Sequence, residues 1–201
     1  MRKHSQLRSG GLFIPFMSGD PVRFAVERFR GRYFHFIHSK EYFMKFKDFI
    51  CNEALIADLK ATTKEDAIRE MVQALLNAGQ IAEADYEGVV QFVLNRESLG
   101  STGIGRNVAV PHTKYQNVKK MVGMVAVSST GVDFDSLDGQ AVRVLFLLIS
   151  PPDQPQEHLS ALEHISKQLR EGMFRSFMMQ AKSQDDIIEL LSEADNNQYA
   201  V

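Results

Sequence analysis

The residues in this 201-residue chain whose types and spacing suit phosphate chemistry are two imidazoles, a guanidinium and a run of small residues. Arg96 opens the stretch Glu97-Ser98-Leu99-Gly100-Ser101-Thr102-Gly103-Ile104-Gly105, and two residues later Val108-Ala109-Val110-Pro111-His112 follows. Glycines at 100, 103 and 105 around Ser101 and Thr102 can offer backbone N–H groups and hydroxyls to a phosphoryl group or another oxyanion. The nucleotide P-loop is a different pattern, because it needs Lys and then Ser or Thr after its last Gly, and here Gly105 precedes Arg106 and Asn107. A Gly/Ser run alone is equally a linker. What distinguishes this one is a short apolar strand, stopped by Pro111, that sets His112 beside it; a neutral imidazole nitrogen is a competent nucleophile toward phosphorus. His158 supplies a second imidazole. It shares the inward face with Leu162 and Ile165 and sits in the first turn of a helix, where the dipole favours an anion. His164 falls on another face and is read as structural or exposed.

The elements that must position these groups follow from periodicity and caps. Thr62 or Thr63 with Glu65 or Asp66 forms a capping box, and Ile68, Met71, Val72, Leu75 and Leu76 then repeat at helical spacing up to Gly79. A second helix runs from about Asp85 to Leu94 or Arg96, with Tyr86, Val89, Val90 and Val93 on one side. Strand character appears at Val108–Val110, Met121–Val127 and Val142–Ile149, the last apolar enough for a central strand buried on both faces. Pro151-Pro152-Asp153-Gln154-Pro155 leads into a helix from Gln156 or Glu157 to about Arg170. Helical segments follow over Gly172–Lys182 and Asp185–Ser192, the latter capped by Ser183 with Asp186, and a polar tail from Glu193 is expected to fray. Helices flanking several short strands make an α/β (α+β) fold with a mixed sheet of about five strands. Asp133, Asp135 and Asp138 lack the ligand order of an EF-hand and are read as a solvated turn. A metal site from His112, His158 and His164 has no carboxylate at ligand spacing and would leave the Gly-rich stretch unexplained, so neither metal nor cofactor is assigned.

Composition narrows the classes. Lys plus Arg total 23 against 25 acids, a net charge of −2, which argues against a dedicated nucleic-acid binder. That average hides a split: residues 1–43 carry eight basic and three acidic residues, net +5, and the remainder fifteen and twenty-two, net −7. The first 43 residues also hold nine of the nineteen aromatics. Arginines interleaved with aromatics can stack on bases, but the favoured account is a disordered or loosely docked extension, or a start at Met44, with the functional domain over 44–201. The longest apolar run, Val144–Ile149, is six residues against the roughly 20 of a membrane helix. Pro15 interrupts the short apolar stretch Leu12–Met17, so a secretion signal is not expected. Cys51 is the single cysteine and fits a reducing compartment.

The stretch from Arg96 to Gly105 followed by Val108-Ala109-Val110-Pro111-His112 resembles the active-site signature of the type 2 enzyme IIA family of the bacterial phosphoenolpyruvate-dependent phosphotransferase system. That family includes the fructose, mannitol and nitrogen-regulatory enzymes IIA, and Gly-Ser-Thr-Gly-Ile-Gly is closest to the nitrogen-regulatory form. The resemblance covers about residues 46–192, including Glu157-His158-Leu159, where the family places its second histidine. It implies that His112 accepts a phosphoryl group, Arg96 neutralises its oxygens, and His158 hydrogen-bonds those oxygens or orients His112. Ser101, Thr102 and Gly103 are implied as the phosphoryl-binding loop. The implied partners are an HPr-type carrier, or its nitrogen-branch counterpart, as donor and an enzyme IIB or a regulatory target as recipient. No nucleic acid or membrane insertion is implied, and the location is cytoplasmic. The alternatives are a regulatory binding module of the same fold or a sugar-specific enzyme IIA. Thr113 departs from the pattern, standing where the family has a small residue.

Overall fold

The computed structural model describes residues 25–29, 32–36, 44–196 and 199, and the chain divides into two units, Met1–Tyr42 and Phe43–Val201. In the first unit, strands β1 (Ala25–Phe29) and β2 (Arg32–Phe36) pair antiparallel from Ala25↔Phe36 to Phe29↔Arg32. The sequence reading assigns no element to this stretch. Its five-residue runs are too short for periodicity to show, although their aromatic and β-branched content suits strands. The reading of residues 1–43 as a disordered extension or a misplaced start otherwise falls outside the described residues.

The second unit is organised by β7 (Val142–Ser150), the run expected to be a buried central strand. One edge pairs antiparallel with β6 (Val122–Val132); the other pairs in parallel with β4 (Val108–Ala109) and then β5 (His112–Lys114), two pieces of one line broken at Pro111. β3 (Gly103–Gly105) pairs antiparallel with β4 and completes a mixed five-stranded sheet. Beyond β6 the connection 50–63 runs alongside, making parallel bridges Ile50↔Gly123, Ile56↔Ala126 and Thr63↔Asp133. Gly123 permits that approach: a Cβ there would lie 2.9 Å from the Phe49 ring, closer than packed carbons tolerate.

Alternate side chains of a strand point to opposite faces, so β7 feeds two cores. Leu145, Leu147 and Ile149 pack under α2 (Lys64–Asn77) and α3 (Tyr86–Ser98) with Ile68, Met71, Val72, Leu75, Val89, Val90 and Val93. Val144, Phe146 and Leu148 pack against α1 (Phe46–Phe49), α4 (Pro155–Arg170), α5 (Gly172–Met178) and α6 (Gln184–Asp195). Thr63 caps α2 by accepting the Asp66 N–H, and Ser183 with Asp186 forms a reciprocal capping box on α6. Phe146 is fully buried, its ring 5.7 Å from that of Phe46. Phe146→Ala is expected to cost about 3–5 kcal/mol of unfolding free energy in urea titration, from lost transfer energy plus a cavity; a loss below about 1 kcal/mol would mean that this core collapses around the deletion.

Boundaries differ from those expected in several places: β6 runs past Val127 to Val132, α5 stops at Met178, and three further differences trace to particular contacts. α3 continues to Ser98, because Glu97 turns inward to a buried partner. Gly103–Gly105 is a strand rather than loop, closed onto β4 through Arg106 and Asn107, both at positive φ, the geometry of a type I′ hairpin turn. The segment after Glu193 does not fray at once: α6 reaches Asp195, a buried carboxylate that accepts the N–H groups of Phe46 at 2.7 Å and Lys47 at 3.1 Å.

Candidate functional site

Parallel pairing of β4 and β5 with β7 carries His112 to the C-terminal end of the central strand, where it lies opposite Leu148. α4 starts just beyond that end, with Pro155 in its first turn, and brings His158 to the same place. Sites at the carboxyl ends of parallel strands are the rule in sheets of this kind. The two imidazole centroids are 5.6 Å apart, and the planes are inclined at 55°.

Hydrogen bonding assigns the ring protons. His112 Nδ1 lies 2.7 Å from the Val110 carbonyl, which can only accept, so Nδ1 carries the hydrogen and the Nε2 lone pair is free. His158 Nδ1 lies 2.8 Å from the hydroxyl of Ser150, itself fully buried. Among the described residues that hydroxyl has no other hydrogen-bond acceptor, so donation to Nδ1 satisfies its hydrogen and is the assigned arrangement, with the His158 hydrogen on Nε2. One ring thus offers a nucleophilic nitrogen and the other an N–H donor. Burial pushes His112 below its ordinary value, assisted by the Arg96 charge and opposed by the Val110 carbonyl and Glu97. Burial, with His112 and Lys114 adding to it, pushes His158 from 6.5 down to about 4. Both rings are therefore neutral near pH 7.

The depressed His158 has a consequence for stability. Between pH 6.5 and 4 the unfolded chain takes up a proton that the folded chain refuses, so stability is full above 6.5 and falls as pH drops toward 4, by up to about 3 kcal/mol. His112 and His164, both depressed chiefly by burial, contribute in the same direction. Denaturant titrations across this window are expected to show the decline, and His158→Gln to make it shallower; an unchanged slope in the variant would show that His158 does not carry it.

Arg96 occupies the last turn of α3, half-buried, with Nη1 donating to the Gly100 carbonyl at 3.1 Å. Ser101, Thr102 and Gly103 lie on the turn that follows, but their polar groups are engaged within the protein. Ser101 Oγ donates to the Phe134 carbonyl at 2.8 Å and accepts the Gly103 N–H at 3.1 Å. Thr102 gives both its N–H, at 2.9 Å, and its hydroxyl to the Glu97 carboxylate. Gly103 is required for packing: a Cβ would meet the Ser136 Cα at 2.9 Å. His164 is structural, its Nε2 3.1 Å from the Asp195 carboxylate and its ring edge-on to Phe46. Asp138 accepts the N–H groups of Arg106 and Gln140, and Asp135 pairs with Lys64 at 2.8 Å, so both are tied to neighbouring elements.

Glu97 and Ser150 are the residues that sequence reasoning missed. A carboxylate beside an arginine at a helix end looks like a solvated ion, and only its 4% exposure marks it out; Ser150, at the end of an apolar strand, gives no signal at all. Two cavities, of about 390 and 330 Å³, are lined by residues of the α1–α6 junction and the 47–53 and 120–122 segments, and neither borders Arg96, His112 or His158. Among the described residues no helix is long and apolar enough to cross a membrane.

Comparison with known proteins agrees with this architecture. The chain is 34% identical over 128 residues to a nitrogen regulatory protein of Bradyrhizobium diazoefficiens, covering 64% of this chain and 82% of that protein. It is 33% identical over 152 residues to the fructose-specific EIIABC component of the phosphotransferase system in Bacillus subtilis, covering 76% of this chain but only 24% of that protein. The crystal structure of nitrogen regulatory protein IIA-Ntr from Neisseria meningitidis superposes with a TM-score of 0.65 at 26% identity, over 72% of this chain and 97% of that one. The mannitol enzyme IIA of Escherichia coli, in complex with phosphorylated mannitol enzyme IIB, gives 0.59 at 26% identity, over 70% and 94%. Residues 48–194 match the family described as phosphoenolpyruvate-dependent sugar phosphotransferase system, EIIA 2. With its mixed five-stranded sheet and flanking helices, the chain belongs to that family.

Proposed function

We propose that this protein is a histidine phosphocarrier in which His112 accepts a phosphoryl group from the phosphohistidine of an HPr-type carrier, or its nitrogen-branch counterpart, and passes it to a partner or holds it as a regulatory signal. The observation that carries this reading is the paired assignment of ring protons, a free Nε2 on His112 facing a ring whose Nε2 bears hydrogen. In the transfer, the P–N bond to the donor imidazole breaks as a P–N bond to His112 Nε2 forms. Nδ1 keeps its proton and its bond to the Val110 carbonyl, which stabilises the positive character that the ring gains. Arg96 neutralises the oxygens of the transferring group, and the Nε2–H of His158 donates to them. Ser101, Thr102 and Gly103 contribute by holding the turn; a bond from the Thr102 hydroxyl to a phosphoryl oxygen requires it to leave Glu97.

Leu99 and Leu159, 85% and 65% exposed, neighbour Arg96 and His158 in sequence and supply apolar surface for a docking protein to cover. A protein donor also fits a half-buried acceptor that borders neither cavity. An enzyme IIB or a regulatory target is the recipient, and the cytoplasm is where phosphoenolpyruvate and such carriers meet.

The test is incubation with phosphoenolpyruvate, enzyme I and HPr, followed by intact-mass measurement. One acid-labile, alkali-stable phosphate is expected, and no modification by HPr or its nitrogen-branch counterpart would refute the carrier role. Offering the phosphorylated protein to fructose- and mannitol-specific enzymes IIB then separates the uses: rapid acceptance marks a sugar carrier, and retention marks the regulatory module.

A further inference from the structure

The buried Glu97 is used by none of the steps above, yet it begins a line of contacts that ends on the acceptor ring. Its carboxylate takes the N–H of Thr102 at 2.9 Å and the Thr102 hydroxyl. The Thr102 carbonyl takes the N–H of Val110 at 3.1 Å, and the Val110 carbonyl takes Nδ1–H of His112 at 2.7 Å. The Glu97 side chain is 2% exposed, with the Lys64 ammonium 4.0 Å away as its nearest countercharge. A carboxylate so far removed from water costs several kcal/mol unless it is fully hydrogen-bonded, so Thr102 is held where these bonds are made.

We propose that Glu97 is a positioning residue for phosphoryl transfer: by clamping Thr102 it fixes, through Val110, the direction of the His112 ring, and it ties the turn on which Arg96 rests to the strand that carries the acceptor. The role rests on the carrier reading and deepens it. Glu97 follows Arg96 in the last turn of α3, and Arg96 braces on Gly100 inside the same turn that Glu97 closes at Thr102. One carboxylate therefore sets the separation between the cation and the nucleophile, a quantity to which transfer rates are steeply sensitive, since an error of about 1 Å can cost roughly 100-fold. The groups facing His112 are Arg96 and Glu97 from α3 and His158 from α4, and of these Glu97 alone is an anion.

The test is Glu97→Gln, which keeps the shape but cannot accept both Thr102 bonds as a carboxylate does. Single-turnover transfer from phosphorylated HPr is expected to slow at least tenfold at unchanged half-saturating donor concentration, and ¹⁵N NMR of the free protein is expected to show His112 titrating at lower pH with a larger share of the Nε2–H tautomer. A merely structural role would lower melting temperature without changing the tautomer share, and loss of the Glu97 charge alone would lower the His112 titration but leave that share unchanged. Thr102→Val, which keeps the N–H and drops the hydroxyl, serves if Glu97→Gln does not fold and is expected to slow transfer by a smaller factor. Glu87→Gln, an exposed carboxylate at the other end of α3, is the control and leaves transfer unchanged. Wild-type rates, or an unchanged His112 tautomer share, in the variant that folds would overturn the proposal. Because the NMR measurement needs no phosphoryl donor, the tautomer share decides the clamp even if the wild-type protein accepts no phosphate.

Discussion

Replacing His112 by alanine is expected to abolish phosphorylation, with no acid-labile mass increase after incubation with phosphoenolpyruvate, enzyme I and HPr at concentrations that label the wild-type chain completely. The loss is total rather than graded because the imidazole forms the covalent bond, and no neighbouring group substitutes for it. His158 is the nearest alternative nucleophile, 5.6 Å away between centroids, but it is buried and its Nε2 bears hydrogen in the network that Ser150 sets. To attack through Nδ1, that ring would have to give up the Ser150 bond, leaving a buried hydroxyl unpaired at about 1–3 kcal/mol. The fold is expected to survive, since His112 is half-buried at a strand edge and its single hydrogen bond ends on a backbone carbonyl. Labelling of His112→Ala at the wild-type level would remove His112 from the acceptor role, and mapping the label to His158 would exchange the two.

Arg96→Ala is expected to slow single-turnover transfer by about 10²–10³-fold, or roughly 3–4 kcal/mol in barrier. The guanidinium neutralises charge that peaks as the phosphoryl group passes between two nitrogens, so its removal acts on the rate constant more than on donor binding. Its ground-state role is slight: one hydrogen bond to the Gly100 carbonyl in a solvent-accessible position, whose loss costs at most about 1 kcal/mol of stability. A second effect gives an independent check. The Arg96 charge helps to hold His112 below its ordinary value, so in Arg96→Ala the His112 ring should titrate at higher pH. Unchanged kinetics would place Arg96 outside the site, and unchanged titration would mean that it does not approach the ring.

How far the site was legible differs from residue to residue. His112 was singled out because a glycine-rich turn, a short apolar strand and a proline leave an imidazole little freedom of place, and the role of Arg96 followed from the resemblance. His158 was proposed from the resemblance, which places a second histidine there, and its helical register with Leu162 and Ile165 in the first turn of α4 supports that place. Ser101 and Thr102 show the limit of that reasoning. Their types suit an oxyanion, but a hydroxyl has one hydrogen, and whether it points to a ligand or to Phe134 and Glu97 depends on groups that the chain brings in from elsewhere. The longer helices were legible from their 3.6-residue period and the central strand from its nearly unbroken apolar run, whereas β3 and β5, three residues each, exist only because a neighbouring strand completes their hydrogen bonds.

The mixed α/β architecture and the buried central strand could be read from local hydrophobic patterning, and the proposed reactive groups from their side-chain chemistry and the resemblance of their motif. The tertiary structure decided which nitrogen is free, through Val110 and Ser150, and turned Glu97 from a surface-type charge into a buried clamp. Proton placement and burial are properties of three-dimensional contacts, some close in the chain and some distant: Val110 meets His112 two residues on, Ser150 meets His158 across a turn, and Glu97 meets Lys64 from another helix. Such contacts carry no periodic trace in the residues that make them.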